Sequence, residues 1–178
     1  MIQHLNKGLA RLLPLQNTVC KWVTREFRKQ KRLLWKDLQK AHLNIHLSFD
    51  LWTSPNYFAI IAIVAHYIDR NRAHQMKLLA LRQLEGEHSG VNIAQVVLNV
   101  VSEYKIESWI GYFVLDNASS NDTAVDLILR TLYPQITERQ WKCYYLWCLG
   151  HVVNLAAQAF FLGKTVDTTL EELELAYS

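Results

Sequence analysis

Between residues 18 and 41 the apolar side chains recur every three or four positions: Val19, Trp22, Val23, Phe27, Leu33, Leu34, Leu38 and Ala41. That spacing predicts one stripe of a helix. Lys and Arg fill the positions between, so the expectation is one long amphipathic basic helix with Trp22 and Trp35 facing a core. Asn17 or Thr18 can cap its start, and Pro14 separates it from a short leading segment. The pattern changes at Ile45. Residues 45–52 alternate as a strand does. Residues 57–68 are nearly all apolar, as expected of a central strand buried on both faces. Pro55-Asn56 and Asp69-Arg70-Asn71 read as turns, and a third strand, less cleanly alternating, is expected over 75–84.

A second helical stripe follows: Ile93, Val96, Val97, Val100, Val101 and Tyr104. Residues 112–115 predict a short strand that ends in "DNASSND". A helix is expected over 121–132, a brief strand over 144–148, a helix over 151–162, and the start of an acidic helix over 167–177. Three hairpin-linked strands, then strands alternating with helices, imply an α/β fold: a mixed sheet with flanking helices. The first and fourth strands can be parallel neighbours, joined by a right-handed crossover through the helix near 92–104.

Composition narrows the class. With 178 residues, 51% hydrophobic and 20% charged, the chain is not disordered and suits one domain with an appendage. A core of that size buries roughly two-thirds of the unfolded surface. Three cysteines make no disulfide framework, and residues 1–15 lack the compact apolar core of a secretory leader. The longest apolar run, 57–68, is too short to cross a bilayer and contains His66. The expectation is a soluble protein of a reducing compartment, with no membrane partner.

Charge is split along the chain. Residues 1–45 carry ten Lys/Arg against two Asp/Glu, whereas residues 46–178 carry nine against fourteen. The basic front allows a polyanionic partner or is a solvated helix face. Its densest run, "RKQKR" over 28–32, has the composition of a nuclear import signal, or again of a helix face.

Two constellations carry candidate chemistry. Asp50 interrupts the apolar "LSFDLWTS" of 47–54, where an unpaired buried carboxylate is costly. It is either a paired structural residue or part of a site that needs negative charge. If the first and fourth strands are neighbours, Asp50 approaches Asp116, and the repulsion of two carboxylates is relieved by a divalent cation. The alternative for Asp116, followed by Asn117, is a turn. The second constellation is "CLGH", Cys148 to His151. Cys-x-x-His is half of a zinc site; Cys143 is near but a fourth ligand is lacking, so zinc is not expected. His151 can instead orient a neighbour, bind phosphate or be a satisfied buried imidazole. No Gly-rich phosphate loop, nucleophile elbow or dinucleotide fingerprint points to a small-molecule substrate.

Taken in order, "HLSFDLWTSPN" (46–56), "YFVLDNASSND" (112–122) and "CLGHVVNLAAQAF" (148–160) resemble the ribonuclease-H-like core of hAT-type DNA transposases, closest to fungal members. The resemblance covers residues 18–164. It implies a ribonuclease-H-like mixed sheet, with an antiparallel meander plus parallel strands, behind a long basic helix. It implies that Asp50 and Asp116 are the first two catalytic carboxylates and ligands of Mg²⁺ or Mn²⁺. Cys148 and His151 fall on the family's Cys-x-x-His motif and would organise the active site. Arg28, Lys29, Lys31 and Arg32 would contact nucleic acid. The implied partners are transposon-end and target DNA, with self-association, in the nucleus.

The departures shape the expected function. In the family a third carboxylate, a Glu, lies far downstream beyond a helical insertion, and Glu171, Glu172 and Glu174 come too early for it. By the same resemblance, the family's zinc-finger and dimerisation regions are expected to be absent from this sequence. The expected organisation is a basic helical segment (1–44), a core (45–164) and the start of a truncated insertion (165–178). The expected function is a transposase catalytic-core fragment, inactive alone, or a non-catalytic DNA-binding or protein-interaction module derived from one. A third option is a compact nuclease that completes its site with Asp122, which could otherwise cap the helix that begins there.

Overall fold

The computed structural model describes residues 15–86 and 88–162. It divides into two compact units after Gln39. The expected leading segment and the acidic helix at 167–177 lie outside the described residues.

The first unit is the helix α1 (Gln16–Leu38). It begins two residues before its predicted start. Leu15 is its N-cap, with an extended backbone and no side-chain cap, and the Leu15 carbonyl accepts from the N–H groups of Thr18 and Val19. Neither Asn17 nor Thr18 caps it. Trp22 and Trp35 are exposed rather than core-facing, at 52% and 37%.

The second unit follows the predicted order. β1 (Ile45–Thr53), β2 (Ala59–Ile68) and β3 (His74–Gln83) form an antiparallel meander. α2 (Gly90–Tyr104) then leads to β4 (Ile110–Leu115), α3 (Ser119–Leu132), the short α4 (Glu138–Trp141), β5 (Tyr145–Trp147) and α5 (Leu149–Leu162). The strand order is β3-β2-β1-β4-β5, with β4 parallel to both β1 and β5. This is the ribonuclease-H-like mixed sheet. The sequence reading misses α4, although Thr137 and Gln140 have the Thr-x-x-Gln spacing of a capping box. The Thr137 N–H donates to Gln140 Oε1 at 2.9 Å.

Turn chemistry sets the meander. Asp69 Oδ1 accepts from the N–H groups of Asn71 and Ala73 at 2.8 and 3.0 Å, closing the β2–β3 turn. Ser54 Oγ accepts from the Phe58 N–H at 3.1 Å in the β1–β2 turn. β3 alternates poorly because the ladder slips between Ile63 and Val64: Ile63 faces Ala80 but Val64 faces Leu78, leaving Leu79 as the extra residue of a bulge.

One face of the sheet is the core. Leu47 and Phe49 of β1, Ile61, Ile63 and Ala65 of β2, and Phe113 and Leu115 of β4 are buried. They share that core with Ile93, Val97 and Val101 of α2 and Val125 and Ile128 of α3. α2 and α3 meet closely: a Cβ on Gly90 would stand 2.6 Å from the Ser120 carbonyl oxygen. The other face is half-open. β2 alternates strictly between buried and half-buried positions, so it is not buried on both faces as its apolar run suggested. Ile60, Ala62 and Val64 are the half-covered set. Apolar composition cannot separate a two-sided strand from a one-sided strand with an apolar open face.

Candidate functional site

The site is built on that open face. Along β1 the odd positions Ile45, Leu47 and Phe49 enter the core, so Ser48 and Asp50 point to the other side. Asp50 is therefore exposed, not buried. The desolvation penalty that made it conspicuous in the sequence is not incurred. Opposite it on β2 is Ala62, whose small side chain leaves space.

Asp116 arrives from β4. The β1–β4 ladder pairs Ile45 with Ile110, then shifts by one residue and pairs Leu47 with Phe113. Asp50 and Asp116 each lie three residues beyond that second pair. The shift is a bulge, and its centre is a contact between His46 and Tyr112. The Tyr112 N–H donates to His46 Nδ1 at 2.9 Å, and the two rings stack with centroids 5.3 Å apart. His46 is thus the Nε2–H tautomer, and burial lowers its pKa. Gly111 is needed there, because a Cβ would stand 2.6 Å from His46 Nδ1.

Asp116 is held from two sides. Asn121, a buried polar residue at 7% exposure, donates its side-chain amide to Asp116 Oδ1. The Tyr145 hydroxyl donates to the Asp116 carbonyl oxygen. Burial, with the carboxylates of Asp122 and Asp116, pushes the Tyr145 hydroxyl well above its ordinary pKa, so it remains a donor. With Oδ1 accepting one hydrogen bond, both carboxylate oxygens keep lone pairs for a ligand.

The third wall is the start of α5. The Cys148 N–H donates to the Leu115 carbonyl at 2.7 Å, tying the helix entrance to the end of β4. The Cys148 carbonyl accepts from His151 and Val152 as the helix begins. Asp50, Asp116, Cys148 and His151, the four candidates named from the sequence, line one cavity of about 450 Å³. Ser48 and Asn154 add polar groups, and Ala62, Val64 and Val114 form an apolar floor. Asn154 was not foreseen, though it follows His151 by three residues and so shares its helix face. Asn121 and Tyr145 were also missed, because nothing in their local pattern signals that they hold Asp116.

Two carboxylates present oxygen, the ligand type that Mg²⁺ and Mn²⁺ accept alongside water. Cys143 is elsewhere, its thiol 3.6 Å from the Arg139 carbonyl. Among the described residues no group of three or more His, Cys, Asp or Glu is arranged to hold a metal. Asp122 is not among the described residues that line the cavity. It sits in the first turn of α3, whose N-cap is Ala118, so it is not the cap either. Burial raises its pKa, opposed by the charge of Lys142.

The basic run of α1 is divided. Arg28 and Arg32 line a shallow hollow with Lys21 and Arg25. Lys29 is drawn to Glu26 at 3.6 Å, and Lys31 is half-buried. No described helix is long and apolar enough to cross a membrane.

Comparison with known proteins bears on the family and the fold. Residues 48–140, more than half of the chain, match the model of the ZBED1 RNase-like domain. That span contains Asp50 and Asp116 and stops short of Cys148. The chain is 30% identical over 150 residues to tpeD of Talaromyces stipitatus, named as a proposed transcriptional regulator, covering 84% of this chain and 18% of that protein. It is 26% identical over 158 residues to the proposed AC and AC9 transposases of Zea mays, covering 85% of this chain and 19% of each. The chain thus spans less than a fifth of the length of these relatives. The matched span, the mixed five-stranded sheet and the order of its motifs together show that this chain belongs to the ZBED1 RNase-like family, as a hAT-type, transposase-like domain.

Proposed function

We propose that the domain engages DNA and that the cavity between β1, β4 and α5 binds Mg²⁺ or Mn²⁺ through Asp50 and Asp116. One observation carries this reading: two carboxylates from adjacent parallel strands line the same cavity, with Cys148 and His151 beside them. Close carboxylates repel unless a cation or a proton lies between them. A bound divalent ion would polarise a phosphodiester oxygen and help activate an attacking water or hydroxyl. The chain's own groups orient this site. Asn121 fixes the Asp116 carboxylate, and His151, at the start of α5, offers a donor to an anionic ligand beside the ion.

The chain alone is proposed not to cleave DNA efficiently, since in-line displacement between two metals asks for more than two carboxylates. A second reading is favoured by tpeD, whose name describes transcriptional regulation. In it the domain is a DNA-binding module that keeps the cation site without performing strand chemistry.

Manganese titration followed by electron paramagnetic resonance tests the cation site. The expected result is stoichiometric binding weakened at least tenfold in both Asp50→Ala and Asp116→Ala. Binding unchanged in both variants would overturn the assignment. A plasmid-nicking assay tests the lack of efficient cleavage that both readings expect. Robust cleavage by the wild-type chain, lost in Asp50→Ala, would make it a complete nuclease and sink the module reading.

A further inference from the structure

α1 carries seven Lys/Arg and two acidic residues, but its cations are not spread evenly. At 3.6 residues per turn, Lys21, Arg25, Arg28 and Arg32 fall within an arc of about 60°. All four are exposed and line one hollow, of about 360 Å³, together with Thr24 and Cys20. The apolar residues Trp22, Val19, Val23 and Phe27 occupy another side of the helix. Lys31 lies about 100° around from Arg32. Lys29 borders the arc but leans to Glu26, which also accepts from Gln30 Nε2 at 2.7 Å.

We infer that Lys21, Arg25, Arg28 and Arg32 form a docking strip for the phosphodiester backbone of duplex DNA, and that Lys29 and Lys31 do not belong to it. This rests on the reading above that the domain engages DNA. It sharpens that reading by naming the contact, its chemistry and its members. From Lys21 to Arg32 the helix rises about 16 Å. A strand of B-form DNA carries about five phosphates over that length. Three guanidiniums in the row suit phosphate oxygens, which they can grip in bidentate fashion. Thr24 adds a hydroxyl donor within the same hollow. No base-reading group is implied, so the contact is independent of sequence.

Salt-dependent binding to a random-sequence duplex, measured by fluorescence anisotropy, provides the test. Each lost phosphate contact lowers the slope of log K against log salt by about 0.9. Arg28→Gln/Arg32→Gln is expected to lower it by about 1.8 and to weaken binding uniformly across sequences. Lys29→Gln/Lys31→Gln is expected to change it by less than half as much. Circular dichroism on both double variants verifies that the helix persists. DNA is also expected to protect Cys20 from iodoacetamide while Cys143, exposed elsewhere, reacts as before. Equal losses in the two double variants would overturn the strip. DNA binding that ignores both would overturn it while leaving the DNA reading intact, whereas no DNA binding at all would remove both. Tighter binding to duplex RNA of the same length would overturn the assignment to DNA.

Discussion

Asp50 and Asp116 stand the same distance, three residues, past one paired position, Leu47 opposite Phe113. They reach that level because the β1–β4 ladder skips one residue between Ile45 and Leu47. Without the skip Leu115 would stand level with Asp50. A one-residue slip turns every later side chain to the opposite face. The bulge at His46 and Tyr112 is therefore what brings both carboxylates to one cavity.

Gly111→Ala tests the bulge. The new Cβ collides with the His46 ring and also stands 3.1 Å from the Asn44 Cβ. The expected cost is about 1–3 kcal/mol in urea unfolding. If the bulge sets the carboxylates, manganese affinity falls as well, in protein that is still folded. Loss of stability with unchanged affinity would show that the carboxylates are placed independently of the bulge.

Asn121→Ala frees the Asp116 carboxylate. The lost hydrogen bond is worth about 1 kcal/mol of stability. Partners that orient a metal ligand are worth about 10–100-fold in affinity, so manganese binding should fall by that factor. Affinity within twofold of wild type would show that Asn121 only ties the α3 start to β4.

Phe113→Ala empties the centre of the core. Phe113 is fully buried and meets Phe49 edge-on at 6.4 Å between centroids. The expected loss is about 3–5 kcal/mol by chemical denaturation. A loss below 1 kcal/mol, on the order of a surface change, would mean that the sheet and helices are not packed as described.

Acid should weaken the fold through two imidazoles. Burial lowers the pKa of His46, and burial with the neighbouring His74 and His46 lowers that of His66. Both therefore take up protons more readily when the chain unfolds. Their stabilising contribution is complete above the unfolded value of about 6.5 and is lost as pH falls through it toward the depressed folded values. Facing them are Tyr112 over His46, and Ser48 and His74 beside His66, with Ser48 Oγ 2.8 Å from His66 Nε2. Melting temperatures at pH 7.5, 6.5 and 5.5 should fall in that order. His46→Asn keeps an acceptor for the Tyr112 N–H and should flatten the trend. A wild-type profile that is level across this range would contradict the assignment.

Much of this domain was legible from local pattern. The meander, α2, β4, α3 and α5 follow from periodicity and turn residues, because burying one face imposes its own repeat on a segment. Asp50, Asp116, Cys148 and His151 stood out as polar residues in otherwise apolar surroundings or at a ligand spacing, and all four line one cavity. Asn121 and Tyr145 did not stand out. Their role depends on where Asp116 lies, and Asp116 is 29 residues from Tyr145. The exposure of Asp50 was likewise hidden. An apolar run around a carboxylate looks the same whether its strand is covered on one side or two.

By itself, then, the sequence determined the order and type of the elements of the second unit apart from α4, the stripe of core residues on α2 and the basic character of α1, and it singled out Asp50 and Asp116. Those properties are local: a helix or a strand is chosen within a dozen residues by the spacing of its apolar side chains. Only the tertiary structure decided that β1 and β4 pair with a one-residue slip, that Asp50 faces an open cavity, and that Asn121 and Tyr145 hold its partner. These depend on hydrogen bonds between residues up to 66 positions apart. Such pairings are selected by how the two strands fit a shared core, which no local periodicity records.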